Sequence, residues 1–301
     1  MSSELARRIG FGVIAAPIGA AILLYGDWPL AALLAITAAL GARELFRIAR
    51  ESGLTPLEGL GTAIAGLIPL LVHARVLRLY DAQGRLGALS VAALTILVVL
   101  AVSIWARGVS GKPLSAVAVT IFGAFYTGGM LSFGYAIRYH DYASAPNPEA
   151  GRFTPAAGGL LLLLPVLITW ASDIGAYAVG RLIGRHKLIP SVSPGKTIEG
   201  SIGGLVASMI VALAYVQFVM RPSSHLGFRY PPVGILVFGA ILSVAAQIGD
   251  LAESLLKREA GVKDSSNLIP GHGGILDRFD SLFFVLPVAY VLIDFMLTWA
   301  P

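Results

Sequence analysis

The chain has no cysteine. Disulfides, thiolate metal sites and cysteine nucleophiles are excluded at the outset. Charge is scarce as well: Asp, Glu, Lys and Arg make up only 13% of the 301 residues, where a soluble domain carries roughly a quarter. There are five histidines, and no Asp-Gly pair occurs anywhere. Apolar residues take the place of all these, at 56% of the chain with a mean hydropathy of +0.79. Such a composition excludes a charge-rich soluble enzyme and predicts a polytopic membrane protein. The net charge of +5 suits anionic headgroups or anionic substrates, although the sidedness signals of a membrane protein produce the same excess. Nothing in the sequence points to nucleic acid.

Apolar runs long enough, or nearly long enough, to cross a bilayer recur along the chain, at 10–26, 28–42, 58–73, 86–106, 114–137, 157–180, 201–220, 232–250 and 281–299. The expected fold is an all-α, polytopic transmembrane protein of about nine spans. Arg7 and Arg8 precede the first run, but no small-residue cleavage site leads into a polar sequence, so this run reads as a retained span and not as a signal peptide. The second and third runs are short enough to be tilted or partly re-entrant. With the N-terminus in the cytoplasm, the inner segments hold about twice as many Lys and Arg as the outer ones. The outer loop with Arg75, Arg78 and Arg85 runs against that pattern. The longest polar linker, 138–159, divides the chain into an N-terminal region, 1–150, for packing and dimerisation, and a C-terminal region, 151–301, that carries the chemistry. Before the linker the spans look nearly featureless.

Three polar clusters follow the linker. In "LITWASDIGAYAVGRLIGRHKLIP", Asp173, Tyr177 and Arg181 recur every four residues, on one helical face. An acid inside a span is a functional candidate by default, and Arg181 is its nearest partner in sequence; a structural pair closing a helix end is the plainer alternative. In "SVSPGKTIEGSIGG", Gly195, Lys196 and Thr197 resemble the tail of a phosphate-binding P-loop, but its first glycine would fall on Pro190 and no strand is expected before it. There remains a Pro-Gly turn feeding a helix, with Ser193, Lys196 and Thr197 near an N-terminus able to hold phosphate. In the third cluster Gln247, Asp250, Ser254 and Lys257 form one polar stripe on a helix. Asp277 and Asp280 open the last span, and the glycines of "LIPGHGG" could offer an anion-binding nest beside His272.

Acids able to hold a hard cation, bases for phosphates and no Ser-His-Asp arrangement together suit phosphoryl or nucleotidyl transfer, in which positioning and charge neutralisation do most of the work. Asp250 and Asp277 are the expected ligands of Mg²⁺, with a second cation not excluded; Mg²⁺ commonly takes one or two carboxylates and completes its shell with water and substrate phosphate.

The stretch "SLLKREAGVKDSSNLIPGHGGILDRFDS" resembles the signature of the phosphatidate cytidylyltransferases, also called CDP-diacylglycerol synthases. The pattern S-x-x-K-R-x-x-x-x-K-D followed by H-G-G-x-x-D-R-x-D is met at Ser254, Lys257, Arg258, Lys263, Asp264, His272, Gly273, Gly274, Asp277, Arg278 and Asp280. The upstream segment from Ser172 to Gly200 is similar to a second stretch of that family, and the likeness covers mainly the second half of the chain. It implies transfer of the cytidylyl group of CTP to phosphatidate with Mg²⁺, by a homodimeric protein of the bacterial inner membrane whose site faces the cytoplasm. Asp250 and Asp277 would hold the metal. Lys196, Lys257, Arg258, Lys263 and Arg278 would take the phosphates, and Asp280 would orient neighbouring groups. Two rivals stay open: a CTP-dependent lipid or polyprenol kinase, and an ion-coupled transporter using Asp173, Asp250 and Asp277.

Overall fold

A computed structural model describes residues 15–76, 87–140, 155–224, 226–268 and 273–299. Among the described residues the main elements are nine helices: α1 (Ala15–Tyr25), α2 (Asp27–Glu51), α3 (Glu58–Val76), α4 (Leu89–Ala106), α5 (Pro113–Arg138), α6 (Ala157–Ile183), α7 (Ile198–Ser224), α8 (Val233–Glu259) and α9 (Leu276–Met296). Roughly 20 apolar helical residues cover the 30 Å of a bilayer core. Among the described residues, eight helices, α2 to α9, are long and apolar enough to do so. The protein is an all-α integral membrane protein. Helix α1 is shorter, and residues 10–14 of the first expected span lie outside the described residues, as do Arg78 and Arg85.

The described residues fall into two compact units. The first holds Asp27–Tyr135 and Leu256–Phe279; the second holds α1, Ala136–Leu255 and the chain from Asp280 onward. Helix α8 therefore contributes to both.

In the first unit, Phe46 of α2 is fully buried among Ala42, Ala65 and Ala124. A second small core joins Leu57, Val99 and Val117. The α2–α3 turn is fixed by polar contacts: Leu57 N donates to Thr120 Oγ1 at 2.8 Å, and Arg107 donates to the Pro56 carbonyl at 2.6 Å. In the second unit, α6 and α7 pack backbone to backbone. A Cβ on Gly175 would stand 2.7 Å from the Gly203 carbonyl oxygen, so only glycine permits the approach. This contact sets the start of α7 beside the polar face of α6. Arg138, almost fully buried, closes the end of α1 by donating to the carbonyls of Leu23, Leu24 and Tyr25.

Several expectations are corrected. The second and third runs are not short: α2 has 25 residues and α3 has 19, because the charged tail of α2, from Arg43 to Glu51, continues the helix. The last helix begins at Leu276, ahead of the expected start of the span at 281, and carries Asp277 and Asp280 in its first turns. Two short antiparallel pairs interrupt the helices. Strand β1 (Lys187–Ile189) pairs with β2 (Ser193–Thr197), and β3 (Leu226–Phe228) pairs with β4 (Leu297–Trp299). A strand does therefore lead into Lys196. Val192 N closes the turn on the Ile189 carbonyl, and Ile198 N bonds His186 O where the hairpin meets α7. A three-residue strand has too little alternation to be read from sequence.

Candidate active site

In the second unit, a cavity of about 460 Å³ opens among α6, the hairpin, α7 and α8. Asp173, Tyr177 and Arg181 line it from α6, Lys196 and Thr197 from β2, and Gln247 and Asp250 from α8. Three segments that looked separate in sequence thus meet at one wall. Thr197 is the N-cap of α7: its backbone is extended and its Oγ1 accepts from Gly200 N at 3.1 Å. The cap directs the first turn of α7 toward the cavity, and the hydroxyl proton of Thr197 is still available to donate. Lys196, one residue earlier, places Nζ 2.7 Å from Asp250 Oδ2. At that distance the two groups form a close, charge-assisted ion pair. The two side chains are 26% and 35% exposed, with Lys196 Nζ itself enclosed against Asp250. Among the described residues, the other Asp250 oxygen receives only a long contact, 3.4 Å, from Ser254 Oγ.

Arg181 donates to the Tyr177 hydroxyl at 2.7 Å and lies over its ring. The described partner of Arg181 is therefore Tyr177, and Asp173 shares the cavity with both. Gln247 is held by Ser201 through both ends of its amide and donates to Ser243 Oγ at 3.2 Å, which fixes its orientation. Ser193 lies further up β2, away from the cavity lining.

The first unit holds a second Asp–Lys pair in different surroundings. Lys257 Nζ donates to Asp277 Oδ1 at 2.6 Å, and the two side chains are only 10% and 8% exposed. Asp277 Oδ2 accepts from Ser265 N at 2.9 Å, Ser265 Oγ at 2.8 Å and Gly274 N at 2.8 Å. Gly273 has φ +79, and a Cβ there would meet Asp277 Oδ2 at 2.7 Å, so the turn and the carboxylate both call for glycine. The Gly274 amide of the expected glycine nest is thus taken by the protein's own Asp277, and Gly271 lies outside the described residues. His272 lies outside the described residues. Arg258 donates to the Val262 carbonyl just beyond α8. Lys263, Asp264 and Arg278 are exposed. Asp280, in the second unit, accepts from Ser281 N at 2.6 Å, and Gly249 packs against its backbone.

A family model described as the cytidylyltransferase family matches residues 6–296. The chain belongs to the cytidylyltransferase family. A protein of Synechocystis sp. named phosphatidate cytidylyltransferase is 32% identical over 304 residues, covering 97% of each chain. Proteins of the same name from Staphylococcus saprophyticus and Staphylococcus haemolyticus are 48% and 50% identical over 140 and 132 residues. Those two alignments take in 46% and 44% of this chain, and about half of the staphylococcal proteins, 51% and 48%.

In this member of the cytidylyltransferase family, reading the sequence missed one residue in the half that looked featureless. Glu44 of α2 is 6% exposed and accepts from Ser266 Oγ at 2.5 Å, Ile275 N at 3.1 Å and Leu276 N at 2.7 Å, and it lies 2.9 Å from Ser265 Oγ, whose one proton it shares with Asp277. Arg47, one turn on, donates to the Ser265 carbonyl. The available signal was an acid lying within a membrane-length helix, the same signal that marked Asp173. Gln247 had been read only as part of a stripe; its pairing with Ser201 makes it a shaped wall of the cavity.

The two acids expected to hold Mg²⁺ are hard oxygen donors, and each already carries a cationic lysine at 2.6–2.7 Å. Oxygen donors of this kind suit a divalent cation, and Asp250 Oδ1 is the oxygen left open for one; at Asp277 the ion would have to displace the Lys257 ammonium. Among the described residues no three His, Asp or Glu side chains are gathered into a metal cage. A Mg²⁺ ion would accordingly draw most of its shell from water and substrate phosphate, as this ion commonly does.

Proposed function

We propose that this chain transfers the cytidylyl group of CTP to phosphatidate, giving CDP-diacylglycerol and pyrophosphate. The observation that carries the reading is the partly exposed Lys196–Asp250 pair on the wall of a 460 Å³ cavity, beside Arg181 and the capped start of α7. That volume lies in the range of small-ligand sites. The Synechocystis relative, matched over 97% of its length, supports the same activity.

The nucleophile needs no protein base, because the phosphate of phosphatidate is already anionic near neutral pH. One of its oxygens attacks the α-phosphorus of CTP, a new P–O bond forms, the bond to the bridging oxygen of the β-phosphate breaks, and that oxygen leaves with pyrophosphate. The obstacle is repulsion between two polyanions. Lys196 and Arg181 offset it at the cavity, with the guanidinium offering a fork that matches phosphate oxygens. The α7 N-terminus adds the partial positive charge of the helix dipole. Lys257, Arg258, Lys263 and Arg278 are further proposed phosphate contacts, with Asp280 as an orienting group. Asp250 and Asp277 are the proposed Mg²⁺ ligands, and the ion, when bound, would stabilise charge on the phosphoryl oxygens and on departing pyrophosphate. The proposed setting is a homodimer in the bacterial inner membrane with its site facing the cytoplasm.

Detergent-solubilised protein is given phosphatidate, Mg²⁺ and CTP labelled either on cytosine or on the γ-phosphate. The expected result is cytosine label in the lipid phase and γ-label in pyrophosphate. In a parallel arm that offers a diacylglycerol or a polyprenol as alcohol acceptor, γ-label in the lipid would establish a kinase instead, and no label in lipid in either arm would remove both transferases.

A further inference from the structure

We infer that Glu44 is a positioning residue for this transfer: acting through Ser265, it holds the carboxylate of Asp277 in the orientation the reaction uses. The inference rests on the proposed cytidylyl transfer and adds a residue from outside the signature. Ser265 Oγ lies 2.9 Å from Glu44 Oε2 and 2.8 Å from Asp277 Oδ2. A hydroxyl has one proton, so it bridges two carboxylates that both compete for it. The surroundings are arranged to sustain that unusual pairing. Lys257 stands on the far oxygen of Asp277, and backbone amides of Ser265 and Gly274 on the near one. On the other side, the amides of Ile275 and Leu276, at the start of α9, end on Glu44.

Glu44 thus acts as a cap for α9 supplied from another helix, 232 residues away in sequence from Leu276. A cap needs only one acceptor. Glu44 uses both oxygens, with Ser266 and Ile275 on one and Leu276 and the shared Ser265 hydroxyl on the other, and so holds both Ser265–Ser266 and the two residues that lead directly into Asp277. Asp277 has no slack left in its own hydrogen bonds, so a displacement of Ser265 or Gly274 is transmitted to its carboxylate.

Glu44→Gln tests this with little change of volume. Glutamine keeps one acceptor oxygen and turns the other into a donor, which then faces a backbone N–H or a serine hydroxyl. The expected result, per monodisperse protein, is a fall in kcat of about a hundredfold with little change in KM for CTP, as for a group displaced by about an ångström. Ser265→Ala and the double variant complete a cycle. Because Glu44 acts through Ser265, the double variant is expected to be no worse than the poorer single variant. Hydrogen exchange of peptides spanning 265–280 supplies a readout free of turnover, and the Ile275 and Leu276 amides should exchange faster in Glu44→Gln. Wild-type kcat and exchange in Glu44→Gln, or losses that simply add with Ser265→Ala, overturn the inference. Failure of the wild-type protein to make the cytidylyl lipid overturns the proposed function instead, and the exchange measurement still decides whether Glu44 clamps the loop.

Discussion

The two Asp–Lys pairs use the same chemistry in opposite surroundings. In the second unit, Asp250 and Lys196 are about a third and a quarter exposed, touch through one contact and line a cavity. In the first unit, Asp277 and Lys257 are almost buried, and the acid is saturated by four donors. Burial therefore separates their tasks. An exposed ion pair contributes about 0–1 kcal/mol to stability and can exchange its partner for a substrate anion at little cost. Breaking a buried pair by removing one member costs about 3–5 kcal/mol, since the charge left behind has no water to compensate it. The first arrangement is suited to binding, the second to holding a carboxylate in one orientation.

The largest effect should come from Asp277→Asn. Turnover is expected to fall on the order of a thousandfold, with a stability loss of about 3–5 kcal/mol in detergent unfolding. Pairing Lys257→Met with Asp277→Leu sharpens the point: stability should return toward wild type, because an apolar pair can replace a buried ionic one, while activity stays lost. Asp250→Asn should lose turnover to a similar degree yet change stability by less than about 1 kcal/mol. A large drop in melting temperature for that variant would erase the contrast between the two units. Lys196→Gln comes next, with an expected rise in KM for CTP of about ten- to a hundredfold, the value of a charge-assisted hydrogen bond, measured by cytosine-label incorporation. The smallest effect is expected from Thr197→Ala, about 1 kcal/mol through loss of the α7 cap, with Thr197→Ser restoring it.

Much of this was legible in the chain because bilayer burial is recorded locally. Helices α4 to α8 fall on the runs that hydropathy marks, and Asp173, Lys196 and Asp250, flagged separately as polar residues at or within spans, meet at one cavity. The hairpin before α7 escaped because its strands of three and five residues carry no periodicity of their own. Glu44 escaped for another reason. It sits among Arg43, Arg47 and Arg50 at the end of an apolar helix, a pattern that the sidedness of membrane helices explains by itself. Its four partners lie more than 200 residues away. For Gly274 the sequence signals an exposed amide, but which anion reaches it is settled by the turn that brings Asp277 back onto it.

By itself, then, the sequence determined the membrane class, most of the spans and the family, since each is written in runs of neighbouring residues whose transfer into lipid or match to a signature needs no knowledge of the rest. Only the tertiary structure decided which lysine meets which acid, that Glu44 grips the start of α9, and that one aspartate is buried while the other stays accessible. Those outcomes depend on distances between residues far apart in the chain, and the electrostatic value of each contact depends on the water that folding removes around it.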